Sequence, residues 1–248
     1  MANSKCFVSF KNKMSHFDAD LDFIDIIYSD ISSNPLPNGA TELFPGSNNP
    51  KYETLSHYKV VPQNQLLVIR HFRTTFYTAY IKDLYEEFTI YLKNMLKDIY
   101  NNAKITPERL TGEHKISMSS VDILNHIRQG NLTDIVIDSI FQSLENERST
   151  ISLINKFHQK IGIEKNDQLI NSAIYYLEIR HKLVHTDGFA DSDFMSSHPT
   201  LTYTTSNYIS LNYTTIKDAK NAVMALVKDI DYKIMQKQLV PPNTTPTF

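Results

Sequence analysis

Residues 63–102 read QNQLLVIRHFRTTFYTAYIKDLYEEFTIYLKNMLKDIYNN, with neither proline nor glycine. Within this stretch Ile69, Phe72, Phe76, Tyr80, Leu84, Phe88, Tyr91, Met95 and Ile99 recur every three or four positions. That spacing lines one face of an α-helix. At 1.5 Å per residue the helix would run for about 60 Å, long enough to form the spine of a bundle. Its apolar stripe is expected to be core. Arg70, His71 and Arg73 near its start are readable as a solvated face or as contacts to nucleic-acid phosphate.

Upstream, a first helix is expected from Ser15, an N-cap residue type, through Phe17, Leu21, Ile24 and Ile27 toward Ile31. Between the two helices, 32–63 holds Pro35, Pro37, Pro45, Pro50 and Pro62 with Gly39 and Gly46. Structureless loops of that length are uncommon inside a compact domain, so a surface loop, a lid or a binding arm is expected. Downstream, shorter helices are predicted over Ser119–Arg128, Thr133–Leu144 and Ser149–Ile161, and a stronger one over Asn166–Thr186. Tyr203–Asn212 alternates and is rich in Tyr, Thr and Ile, which predicts a short strand pair or an extended connection. Thr214 or Thr215 would cap a last helix, Ile216–Gln236, with Ala219, Val223, Leu226, Ile230 and Ile234 on one face. From Val240 the chain carries Pro241, Pro242 and Pro246 and is expected to fray. The fold class is therefore all-α, one domain over 1–240 with a tail at 241–248 and a short β-prone segment near 203–212.

Composition narrows the function. Twenty-five Lys and Arg against 27 Asp and Glu leave a net charge of −2, so any contact with a polyanion must come from a local patch. Cys6 is the only cysteine, which rules out an internal disulfide and a cysteine-built zinc site. No window approaches the apolar length of a membrane span, and Met1–Lys13 has no signal-like apolar core. A cytoplasmic protein without membrane contact is expected.

The chemistry concentrates at Tyr176-Leu177-Glu178-Ile179-Arg180-His181-Lys182-Leu183-Val184-His185-Thr186-Asp187-Gly188. On a helical wheel Ile170, Ala173, Ile174, Leu177, His181 and Val184 share one face, the expected buried stripe. Arg180 falls near one edge and His185 just beyond the other. Gly188 follows where a left-handed C-cap is expected. Such a group suits phosphodiester transfer in RNA, whose 2′-hydroxyl is the nucleophile. Imidazole can move the proton near neutral pH, and guanidinium can hold the phosphate as charge builds. Lys182 reads as solvent-facing, with an RNA-backbone contact as its functional alternative. A second Arg-x4-His, Arg109 to His114, has Leu110 after the arginine and Thr111-Gly112 within it, in an expected loop, and is set aside.

Arg180-His181-x-x-x-His185 resembles the Arg–polar–x-x-x–His signature of the HEPN superfamily. Leu183-Val184-His185-Thr186-Asp187-Gly188 is similar to what surrounds the histidine in many bacterial members. The order of a long early helix, a late signature helix, a β-prone segment and a closing helix is similar too. The resemblance implies an all-α bundle, usually dimeric, whose two signature helices face each other across one cleft. Many such proteins are metal-independent ribonucleases of toxin–antitoxin or antiviral systems. On that basis His185 would be general acid/base, Arg180 the phosphate ligand, and His181, where the family more often has Asn or Asp, an orienting group. RNA would be the substrate, a homodimer would form through the 166–186 helix, and an inhibitory or activating protein would restrain it.

Other readings stay open. His181 and His185 have the i,i+4 spacing of two zinc ligands, but a zincin would need Glu where Lys182 stands. Asp187, Asp191 and His198 form another candidate metal set. No metal or cofactor is expected. A non-catalytic HEPN module binding RNA, a nucleotide or a partner is the alternative, and a helical scaffold acting through the 35–62 arm is a third.

Overall fold

The computed structural model describes residues 3–145 and 149–243, and among these the architecture is all-α. Helix α1 spans Lys5–Ser33, and a 3-10 turn, Pro50–Tyr52, leads into the short α2, Glu53–Ser56. Then comes α3, Pro62–Asn101, with forty residues. After it follow α4 (Pro107–Thr111), α5 (Ser120–Gln129), α6 (Leu132–Glu145), α7 (Thr150–Ile161), α8 (Asp167–His185) and α9 (Ser192–Ser197). Strands β1 (Thr202–Tyr203) and β2 (Ile209–Ser210) precede α10, Tyr213–Gln236.

Local chemistry accounts for most helix starts. Side-chain oxygens of Ser119, Ser149 and Asn166 each accept a backbone N–H of the turn that follows, removing one of the unpaired donors at a helix N-terminus. Pro62 begins α3, where a missing N–H costs nothing. Two starts differ from the sequence expectation. The first helix is capped by Ser4, not Ser15, because Phe7, Phe10 and Met14 add three more buried turns before Phe17. The last helix is capped by Asn212, whose Oδ1 accepts from Thr215 N–H at 2.9 Å, rather than by Thr214 or Thr215. Three short helices were not foreseen: α2, inside the expected loop, α4, capped by Thr106, and α9, capped by Asp191.

Helix α1 runs antiparallel to α3. Phe10 meets Tyr91, Phe17 meets Tyr80, and the Arg73 guanidinium lies 3.4 Å from the ring centre of Tyr28. Against both packs α10, where Lys217 and Lys220 reach Asp18 and Tyr91 Oη approaches the Val227 carbonyl. The core includes Leu84, Phe88, Leu92, Met95 and Leu96 of α3 with Ile154 and Phe157 of α7, Ile170 and Leu177 of α8, and Val223 and Ile230 of α10. Phe72, expected inside, is 49% exposed. Beside the start of α3 lies the 34–61 segment. That segment is tied back at Leu43, which is buried and whose carbonyl accepts from Gln65 Nε2 at 2.9 Å.

At the far end Val240 is buried and the Asn243 N–H donates to the Asn3 carbonyl; the rest of the expected tail, 244–248, lies outside the described residues. The β-prone segment forms a two-stranded antiparallel hairpin pairing Thr202 with Ser210 and Tyr203 with Ile209. Its second arm also pairs with the chain leaving α8: Ile209 N–H donates to Gly188 O, and Ala190 N–H to Asn207 O. The hairpin thus clamps the end of the helix that carries Arg180 and His185. No helix among the described residues is long and apolar enough to cross a membrane.

Candidate active site

Helix α8 is buried on one face in its first half, through Ile170, Ala173, Ile174 and Leu177. In its second half the buried positions are Ile179 and Leu183, which lie on another side of the wheel. The shift has a visible cause. After His185 the chain turns sharply at Asp187 (φ 50°) and Gly188 (φ 87°), and Gly188 N–H returns to the Lys182 carbonyl at 2.9 Å. The returning chain covers Leu183, and a Cβ on Gly188 would stand 3.4 Å from its Cδ2. The expected C-cap is therefore present. The expected burial of His181 and Val184 is not: His181 is exposed and Val184 is 40% exposed.

The outcome is a cleft of about 480 Å³ beside the last turns of α8. Arg180, His181, Lys182 and His185 line it from α8, Tyr85 from α3, Glu145 from the end of α6, Ser149 and Thr150 from the start of α7, and Phe194 from α9. Its volume falls in the range of small-ligand sites. The guanidinium of half-buried Arg180 lies over the Tyr85 ring, 4.7 Å from its centre, a cation–π contact that fixes the group while leaving its edge N–H donors for a ligand. Burial raises the Tyr85 phenol pKa more than Arg180 lowers it, so that hydroxyl stays protonated and can donate.

The two imidazoles meet one helical turn apart, with ring centres 4.4 Å apart and their planes tilted. Burial, then the neighbouring His185, Lys182 and Arg180, hold the His181 pKa below its ordinary value, against a small opposing pull from Glu178. His181 is therefore a neutral base near pH 7. Lys182 departs from the expectation that it faces solvent. Its Nζ pairs with Asp191 and lies 5.3 Å from the Phe194 ring centre, so it closes the cleft wall and holds α9 against α8.

Arg70 and Arg73 do not join this group. Arg73 stands twelve residues before Tyr85 on α3, about 18 Å along the axis, and packs on Tyr28 and Tyr77. Arg70 lies beside the Tyr28 phenol and holds its pKa below the ordinary value. The Asp187–Asp191–His198 set is also scattered. His198 is buried, its two ring nitrogens each 3.0 Å from a backbone carbonyl, of Phe194 and of Tyr175. Among the described residues no three His, Cys, Asp or Glu side chains converge as a metal would require.

Tyr85, Glu145, Thr150 and Phe194 were not foreseen as site residues. Ser149 was recognised only as a helix start. Nothing local marks Tyr85, one of a run of aromatic residues on α3; only the packing of α8 beside it gives it a role. Comparison of the chain with family models, with curated proteins and with solved structures finds no match in any of the three.

Proposed function

We propose that this chain is a metal-independent endoribonuclease of HEPN type, acting as a homodimer with the ends of the two α8 helices facing each other. The observation that carries the reading is the meeting of Arg180, His181 and His185 in one open cleft. In the proposed reaction a histidine takes the proton from the RNA 2′-hydroxyl, whose oxygen attacks the adjacent phosphorus. Arg180 stabilises the charge on the phosphoryl oxygens. The bond to the 5′-oxygen breaks, and that oxygen receives a proton from the second acid/base group, His185 of the other copy. The products are a 2′,3′-cyclic phosphate and a 5′-hydroxyl. His181, held neutral, orients the attacking 2′-hydroxyl. Exposed Val184, with Phe189 and Tyr208 in edge-on contact beyond it, supplies apolar surface for the second copy. Lys182 serves the cleft wall more than the RNA backbone, and Arg70 and Arg73 have no part in the reaction.

The inferred setting is a cytoplasmic toxin or antiviral system with an inhibitory or activating protein partner, since an unrestrained cellular ribonuclease would be harmful. A second reading, a HEPN-like module that binds RNA or a nucleotide without cleaving it, draws on the cleft volume of about 480 Å³, which suits a small ligand.

The test is incubation of purified protein with total RNA in excess EDTA. The ribonuclease reading expects cleavage leaving cyclic phosphate ends, reduced by about a hundredfold or more in His185→Ala and in Arg180→Ala. Binding without cleavage would establish the second reading, and the absence of both would remove RNA from the account.

A further inference from the structure

Tyr85 stands at the edge of the apolar stripe of α3, next to buried Leu84, and its side chain lines the α8 cleft. Its ring carries the Arg180 guanidinium, 4.7 Å from the ring centre. Phenylalanine would support that cation as well, so the support accounts for the ring and not for the hydroxyl. We propose that the Tyr85 hydroxyl is a phosphate ligand. With Arg180 it clamps one singly charged internal phosphodiester, while Glu145 and Glu178 turn away doubly charged terminal phosphates. The proposal rests on the ribonuclease reading for its substrate, and it adds a residue and a selectivity to that reading.

Other tyrosines commit their hydroxyls to the fold. Tyr203 gives its hydrogen to the His198 carbonyl at 2.9 Å, and Tyr213 gives its own to Asp22 at 2.6 Å. Among the described residues Tyr85 donates to no carbonyl or carboxylate. Beside its oxygen are Thr150, also on the cleft wall, and the charges of Arg180 and Glu145. A hydroxyl accepts as well as donates, so the phenol can take a hydrogen from Thr150 and keep its own for a ligand. Arg180 makes no ion pair among the described residues, and its N–H donors leave the guanidinium along the edge of its plane. Ring and guanidinium are in contact, so both donors can reach oxygens of one phosphate group.

Charge decides which phosphate fits. Arg180 and Lys182 are the lysine and arginine side chains of the wall among the described residues, and Lys182 is engaged by Asp191. Glu145 and Glu178 stand on the same wall. The charge of Glu145 already raises the Tyr85 pKa, so its field reaches the oxygen that would hold the phosphate. A phosphodiester brings one negative charge, which Arg180 offsets. A terminal phosphate, with a second pKa of about 6, is almost fully doubly charged at pH 7.5. Its second charge meets two carboxylates and no second unpaired lysine or arginine. Selectivity of this kind comes from repulsion of the wrong ligand.

The experiment reads binding, not cleavage, from the proton NMR shifts of the His181 and His185 imidazoles in the full-length protein at pH 7.5 with EDTA. The two probes are a 2′-O-methyl nucleoside 3′-phosphate and its methyl ester, which differ by one methyl group and one charge. Neither has a 2′-hydroxyl to attack with. The wild-type protein should bind the ester more tightly by about threefold, the scale of an exposed charge pair. Tyr85→Phe keeps the ring under Arg180 and should weaken the ester about tenfold, the scale of a hydrogen bond to a charged group. Glu145→Gln and Glu178→Gln should each raise affinity for the doubly charged probe and narrow the preference. Full ester affinity in Tyr85→Phe, tighter wild-type binding of the doubly charged probe, an unchanged preference in both glutamine variants, or no shift with either probe would overturn the proposal. Ester binding that depends on the Tyr85 hydroxyl, in a wild-type protein that leaves RNA intact, would sink only the ribonuclease reading.

Discussion

The His181 and His185 rings stand 4.4 Å apart at the open end of α8, tilted by 46°, so His181 lies in the field of its neighbour. Burial is the largest cause of the lowered His181 pKa, and His185 is the next. Replacing His185 with Asn should move the His181 midpoint upward toward 6.5. Lys182→Gln should do the same to a smaller degree. Proton NMR of the imidazole Cε1–H across pH 4–8 reads both. A His181 midpoint that ignores His185 would mean the two rings do not share this geometry in solution.

Gly188 holds the turn that returns over Leu183. Its φ of +87° is open to glycine and strained for other residues. Gly188→Ala should cost about 1–2 kcal/mol and loosen the clamp between β2 and the end of α8. Thermal unfolding reads the cost, and amide exchange at Ile209, whose N–H donates to Gly188, reads the clamp. Unchanged protection at Ile209 would count against the clamp.

His158 is buried with Nδ1 2.8 Å from the Ile154 carbonyl and Nε2 without a partner among the described residues. Burial lowers its pKa, with Lys233 and Lys165 adding to the effect and Asp229 opposing it. The unfolded chain therefore takes up a proton near pH 6.5 that the folded state refuses. Stability from this group is complete above pH 6.5 and falls as the pH drops through that value toward the lowered one. The slope is at most about 1.4 kcal/mol per pH unit. His158→Met should flatten the change in the urea midpoint between pH 7 and pH 5. Identical pH profiles for the two proteins would contradict a neutral, buried imidazole.

Cys6 gives its thiol hydrogen to Asp98 Oδ2 at 3.2 Å. Burial raises its pKa far above the usual thiol range, and the charges of Asp98 and Asp231 push the same way. The thiolate is the reactive form, so iodoacetamide at pH 8 should label the folded protein far more slowly than the urea-unfolded chain. Asp98→Asn should raise the folded-state rate. As the only cysteine, it makes the readout unambiguous. Equal folded and unfolded rates would refute the half-buried, acid-flanked thiol.

Local signals made much of the chain legible. The stripe from Ile69 to Ile99, the caps at Ser149 and Asn166, and the turn at Gly188 depend on neighbours within a few residues, and the helices formed where those signals lie. Where the structure departs, a distant segment is responsible. Ser4 begins α1 where its N–H meets Asp231, 227 positions away, and Phe72, on the apolar stripe of α3, is 49% exposed.

The sequence by itself determined an all-helical chain with an arginine and two histidines in one and a half turns near the end of α8. Covalent spacing and helical period suffice for that, since neither depends on what packs against the helix. Only the tertiary structure decided that His181 faces outward, that Tyr85 carries the Arg180 guanidinium, and that Lys182 is engaged by Asp191. It alone brought Arg109 against Gly162 and onto the Gln159 carbonyl, fifty residues on. Those contacts follow from which surfaces α3, α7, α9 and the hairpin cover, and that is settled by burying the whole apolar core at once, not by any local pattern.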